Sequence, residues 1–269
     1  MNQFCIVQLG KFGDIANILP VAKKLHDEGR TPGFVVSMNY LPILRGVHYC
    51  RPDPVHFKPS RIDLALQYAH NKYKTVLNAQ PYGKQYKYKG EIGVSFNELS
   101  WQSVGFGDQF HDKAGFPLVF DNRDKAREDF LIAQHVRGGR PILLLSVGCS
   151  RSSPFATHNA FSEAIKRKFG ARFEIIDLCN AKCACIYDWL GLFERSTLLI
   201  TADTAALHLA TAVPSLKVIA LVNDKPFLAT TPRCNVVLKM NYGSVSEKMG
   251  DIYEAVFASL STPNLPEKV

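Results

Sequence analysis

The stretch LLITADTAALHLATAVPSLKVIALV, residues 198–222, decides the fold class. Leu198, Leu199 and Ile200 begin an apolar run that stops at Asp203-Thr204, a polar pair of the kind that caps helices. A helix of small residues follows, slim at Ala205, Ala206 and Ala210, and after Pro214 a second apolar run starts at Lys217. Strand, tight turn, helix and strand make the βαβ unit of a parallel sheet. The first N–H groups of such a helix have no partner inside it, and they carry partial positive charge that suits a phosphate. An ordinary capped helix in an α/β domain accounts for the same letters equally well.

Working outward, the alternation repeats. Residues 4–9 (FCIVQL) read as a strand bounded by Gly10. Residues 15–28 have helical spacing through Ile18, Leu19, Val21, Ala22 and Leu25, with Gly29 as a stop, and residues 33–37 read as the next strand. A helix over 62–70 and a strand over 75–78 follow. Regularity then fades from 80 to 120, where glycines, aromatics and lysines interleave. A helix over 123–135 ends at VRGGRP, residues 136–141, and a second series begins. It runs strand 142–147, helix 160–169, strand 173–178, helix 186–194, strand 198–201, helix 205–212 and strand 218–222. The pattern predicts an α/β protein of two Rossmann-like domains facing each other across a cleft. The first spans residues 1–136 and the second 137–243. Residues 244–269 form a C-terminal helical segment expected to return to the first domain.

With 46% hydrophobic residues the 269-residue chain has ample core. No apolar run approaches the ~18 residues of a membrane span, and residues 1–7 are too short for a signal sequence, so the expected location is cytoplasmic. The seven cysteines are an odd number without paired C-x-x-C spacing. The cluster Cys179, Cys183, Cys185 therefore reads as reduced and structural rather than as a metal site. No D-x-D pair exists to clamp a metal on a diphosphate, and no G-x-S-x-G elbow supplies a hydrolase nucleophile. The net charge of +8 points to an acidic partner.

Parallel sheets place ligands at the carboxyl ends of their strands, which directs attention to three loops. Gly10-Lys11-Phe12-Gly13-Asp14 follows the first strand; Asp14 reads either as the N-cap of the next helix or as a group at the mouth of the cleft. SVGCSRSS, residues 146–153, offers Gly148 for close approach, the Ser150 hydroxyl and the forked Arg151 cation, which otherwise is a solvated surface residue. The third loop holds Asp203, Thr204, Ala205 and Ala206, with His208 one turn on.

In these segments the chain resembles the heptosyltransferase-like glycosyltransferases of family 9. GKFGDIANILP is similar to the family's Gly-Asp, helix and proline (Gly13, Asp14, Pro20). SVGCS stands where the family has Gly-Ala-Ser. ADTAALHLATAV is similar to its Asp-Thr-Gly-x-x-His signature at Asp203, Thr204, His208 and Ala212. There are departures: Ala205 replaces the signature glycine, Pro154 stands near the place of a lysine, and VNDKP lacks a Gly-Pro-Thr.

The resemblance implies a GT-B fold and an inverting, metal-independent glycosyltransferase with a nucleotide-sugar as co-substrate and no other cofactor. Gly13, Gly148, Ser150, Arg151, Asp203, Thr204, Ala205, Ala206 and His208 would hold the donor, and Asp14 would be the catalytic base. The acceptor would meet the first domain, at Lys11 and at a basic, aromatic stretch holding Tyr82, Lys84, Lys87 and Lys89 and followed by Trp101. That stretch suits a phosphate backbone with stacked bases, a phosphorylated glycan, or nothing more than a solvated loop. Three functions stay open: transfer to a hydroxymethylated base in DNA, transfer to a lipopolysaccharide core or other surface glycan, and non-catalytic nucleic-acid binding on a transferase scaffold.

Overall fold

The computed structural model describes residues 2–80, 94–148, 158–223, 234–241 and 245–261. Two parallel sheets organise them. The first contains β1 (Asn2–Val7), β2 (Gly33–Ser37), β3 (Arg51–Val55) and β4 (Tyr73–Asn78) in the order β3-β2-β1-β4. The second contains β5 (Ile142–Ser146), β6 (Glu174–Asp177), β7 (Ser196–Ala202), β8 (Lys217–Asn223) and β9 (Val236–Met240) in the order β6-β5-β7-β8-β9. All pairings are parallel. Sheets of this kind are covered on both faces, and GFVVS in β2 and ILLLS in β5 are accordingly buried at every position.

Strand order reverses between β1 and β4 in the first sheet and between β5 and β7 in the second. Such switch points open crevices at the carboxyl ends of the strands. Buried Gln8 secures the first: its Nε2 donates to the Ala79 carbonyl and its Oε1 accepts from the Gly10 N–H, both at 2.8 Å. At the second, the Thr201 hydroxyl on β7 donates to the Ser146 carbonyl on β5.

Helix α1 (Phe12–Asp27) follows β1, and α2 (Ile62–Lys72) precedes β4. The short α3 (Phe96–Ser103) packs on α1: Trp101 Nε1 donates to the Asn17 carbonyl at 2.8 Å, and Asn17 Nδ2 donates to that of Asn97. Helix α4 (Lys125–His135) lies against α6 (Leu190–Glu194) and the 3-10 turn Ile186–Trp189. There Arg127 pairs with the buried Asp188, and Arg123 bridges Glu128 and Glu194. By its contacts α4 joins the second unit, ahead of the boundary expected at 136–137. Helices α5 (His158–Phe169) and α7 (Ala205–Leu209) complete that unit with α8 (Met249–Ser261).

Two expectations change. Helix α8 packs on the second unit, and the remainder of the expected segment, residues 262–269, lies outside the described residues. Ile252 and Val256 sit in one core with Leu143, Phe161 and Ile200 of the second, and Tyr253 meets Phe169 edge-on. The helix predicted over 205–212 is α-helical only to Leu209 and ends as a 3-10 turn, Ala210–Ala212. Strand β3, RPDPV, breaks the usual strand pattern with two prolines, which an edge position tolerates because one side of its backbone needs no partner. Among the described residues no helix is long and apolar enough to cross a membrane.

Candidate functional site

The two switch points face each other across a cavity of about 530 Å³. From the first unit it is lined by residues 11–14 and Tyr40, from the second by Ser146, Ile186, Trp189, residues 203–206 and His208. The loops after β1, β2, β5 and β7 thus supply most of the lining. The units come closest where α1 meets α7: a Cβ on Gly13 would stand 2.7 Å from His208 Cδ2 and 3.6 Å from the Ala205 Cα.

Asp14 is not the N-cap of its helix. Helix α1 begins at Phe12, so Lys11 takes the cap position and Asp14 lies in the first turn, where its Oδ2 accepts the Lys11 N–H at 2.8 Å. Gly10 makes room for this, since any Cβ there would strike the Asp14 carboxylate. Burial raises the Asp14 pKa above the ordinary aspartate value, and the carboxylate of Asp203 across the cavity adds to the rise. The Lys11 N–H, His208 and the Lys11 ammonium act in the opposite direction.

On the facing wall Thr204 occupies the N-cap position of α7, yet its side chain does not cap. The hydroxyl lies 3.1 Å from both the Ser146 and the Thr201 hydroxyls, a chain of three side chains joining β5 to β7. His208 Nε2 lies 3.7 Å from Asp203 Oδ1. The wall therefore offers the first backbone N–H groups of α7, a hydroxyl and an imidazole within one opening. The five-residue α7 contributes little macrodipole, so local N–H groups matter more than the helix as a whole.

Of the expected donor residues, Gly13, Asp203, Thr204, Ala205, Ala206 and His208 line this cavity, as does Lys11 from the acceptor set. Gly148 does not. The close approach its missing side chain permits is to the His158 ring, whose Nδ1 a Cβ would meet at 2.6 Å. Ser150, Arg151, Tyr82, Lys84, Lys87 and Lys89 lie outside the described residues. Trp101 belongs to the core and is a correction: it is 0% exposed, with Phe110 and Phe116 edge-on to it, so it presents no face to an acceptor. Phe106 packs against Phe116 in the same cluster.

Five lining residues, Phe12 among them, are not in the expected site set. Ser146 ends β5, where the carboxyl-end rule already points. Tyr40 follows β2 and meets Phe12 edge-on at 5.2 Å. Trp189 is fixed by its Nε1 bond to the Ala181 carbonyl, and Ile186 lies beside it at the start of the same turn. No disulfide joins the cysteines among the described residues, and Cys185 anchors that turn through its N–H bond to Asp188.

No protein-family model matches the sequence, and no curated protein sequence matches it. Solved structures do. The glycosyl transferase family 9 from Veillonella parvula DSM 2008 has a TM-score of 0.56 at 13% identity, over 99% of this chain and 90% of that one. E. coli ADP-heptose lps heptosyltransferase II has a TM-score of 0.55 at 10% identity, over 95% and 99%. E. coli heptosyltransferase WaaC with ADP-2-deoxy-2-fluoro heptose has a TM-score of 0.53 at 12% identity, over 96% and 100%. Two parallel sheets facing across a cleft are the GT-B-like arrangement of these structures, and this chain shares it.

Proposed function

We propose that this chain is a glycosyltransferase that moves a sugar from a nucleotide-sugar to an acceptor hydroxyl. The observation that carries the reading is the opposition of Asp14 to residues 203–208 across one cavity fed by both switch points. The donor diphosphate lies against the Thr204–Ala206 backbone and His208, with Ser146 beside it. The acceptor enters from the first unit. Asp14 takes the proton of its hydroxyl as the oxygen attacks the anomeric carbon, and the bond to the diphosphate breaks on the opposite face. One such displacement inverts the anomeric configuration. Burial that raises the Asp14 pKa makes the ionised carboxylate a stronger base.

The acceptor we favour is a saccharide. The likeness to a lipopolysaccharide heptosyltransferase structure supports it, as does the core position of Trp101, which removes an aromatic platform from the nucleic-acid reading. The setting we infer is cytoplasmic, where nucleotide-sugars are made and cysteines stay reduced.

The test is transfer from a pool of nucleotide-sugars to bacterial surface glycan and, separately, to hydroxymethylated DNA, read by product mass. A mass gain on the glycan that Asp14→Asn lowers about 10²–10⁴-fold, with nucleotide binding kept, supports the assignment. A gain only on the DNA replaces the acceptor. Donor binding without turnover on either leaves a binding protein and ends the catalytic reading.

A further inference from the structure

We propose that His158, Asp177 and Cys179 form a binding site for a divalent cation of the zinc class, outside the cleft and independent of the transfer reading. Three chain segments deliver them to one place at the carboxyl edge of the second sheet. His158 opens α5, Asp177 ends β6, and Cys179 lies in the turn beyond it. Their ligand atoms all lie within 4.8 Å of one another. Imidazole nitrogen, carboxylate oxygen and thiolate sulfur together make a donor set for a borderline-soft ion. Three protein ligands leave the fourth tetrahedral position to water or to an anionic oxygen.

The surroundings are already organised for such an ion. Asp177 is buried, with a side-chain exposure of 6%. Its Oδ1 accepts the Cys179 N–H at 3.0 Å, and its Oδ2 lies 2.9 Å from His158 Nε2 and 3.4 Å from the Ser162 hydroxyl that donates to it. The carboxylate is thus oriented by backbone and hydroxyl donors, as metal-bound carboxylates are. His158 is seated by Gly148, where any side chain would collide with the ring.

Loading draws the three ligand atoms, all within 4.8 Å of one another, onto one ion. The Nε2 and Oδ2 atoms need to part from 2.9 Å to about 3.3 Å, the separation set by tetrahedral bonds of about 2.0 Å. Because His158 Nε2 faces the Asp177 carboxylate, binding through Nε2 requires the ring proton on Nδ1; the Cys179 thiol releases one proton to solvent, so affinity falls with falling pH. A histidine–aspartate hydrogen bond alone would not need a sulfur atom beside it. Spacing searches miss the site because His158 and Asp177 stand 19 positions apart in the sequence, whereas the C-x-x-C pattern is local.

The test uses the full chain, stripped with a chelator under a non-thiol reductant and titrated with Co²⁺ and then Zn²⁺. The expected result is one equivalent of Co²⁺ giving a thiolate-to-cobalt charge-transfer band that one equivalent of Zn²⁺ removes. Cys179→Ser should abolish the band while Cys183→Ser keeps it. As a second variant at a partly exposed helix start, His158→Gln should weaken Zn²⁺ by more than the roughly 10–100-fold that loss of an outer-shell partner costs. Zn²⁺ should raise the Tm of the wild type and leave that of His158→Gln unchanged. Absence of a thiolate band, a band that survives Cys179→Ser, or equal Zn²⁺ affinity in His158→Gln would each overturn the site.

Discussion

Gly13 and His208 touch across the cleft, and the glycine is what lets them. A Cβ at position 13 would stand 2.7 Å from His208 Cδ2, closer than real Cβ contacts come. The first expected outcome is that Gly13→Ala pushes the imidazole or α1 aside. It should destabilise the protein by about 1–3 kcal/mol, the usual range for overpacking. Turnover should fall with it, because His208 and Asp14 share the cavity. Thermal melts and donor turnover check this; unchanged values in both would mean the two units do not close to this distance in solution.

What the sequence revealed here follows from which signals are local. The strands at the centre of each sheet were legible because burial on both faces writes continuous apolar runs, as in ILLLS and LLITA. Strand β3 was not, because edge position is a tertiary fact that permits prolines in RPDPV. The loops after β1 and β7 were found because carboxyl ends of parallel strands are where ligands bind. Tyr40 and Trp189 escaped because an aromatic residue in a turn looks the same whether it lines a cavity or fills a core. Trp101 failed in the opposite sense. Its lysine-rich neighbourhood suggested exposure, yet its nitrogen is spent on the Asn17 carbonyl inside the core. The start of α1 lies ahead of the expected one because Phe12 and Gly13 carry no helical periodicity, and the Asp14 carboxylate that accepts the Lys11 N–H reads equally as an N-cap one turn later.

Thr204 should matter more for the ligand than for the fold. Its hydroxyl links Ser146 and Thr201; Thr201 keeps a backbone carbonyl as partner, and only the fully buried Ser146 hydroxyl loses a contact. Thr204→Val keeps the shape and removes one hydrogen-bonding group, at a cost of about 1 kcal/mol. The expected signature is a small drop in Tm with a clear loss of nucleotide-sugar affinity, restored by Thr204→Ser. Calorimetric titration of the three proteins decides it, and equal affinities would detach Thr204 from the donor.

Trp101 is predicted to behave in the reverse way. Removing a fully buried indole leaves a large cavity and takes the Nε1–H donor from the Asn17 carbonyl, so Trp101→Ala should cost about 3–5 kcal/mol. Trp101→Phe should cost less while still losing the hydrogen bond. At temperatures where the Phe variant is folded, its KM for acceptor should equal that of the wild type. A raised KM at unchanged stability would return Trp101 to the acceptor site.

Asp14 couples catalysis to stability through its raised pKa. A carboxyl group whose folded pKa lies above its unfolded value binds more protons in the folded state. Its contribution is fully present below the unfolded value, about 3.9, and is lost as pH rises through the folded value. At neutral pH the ionised carboxylate therefore weakens the fold, the cost of burying its charge. Asp14→Asn removes that charge while its side-chain oxygen can still accept the Lys11 N–H. The variant should melt at a higher temperature than the wild type near pH 7, with the difference shrinking as pH falls toward 4. Over the same interval the acidic limb of kcat/KM for the wild type should lie above the ordinary aspartate value. Melting curves and rate profiles across that range supply both readings. A variant that melts lower at pH 7, or an acidic limb at the ordinary aspartate value, would contradict a half-buried, ionising Asp14 as the base.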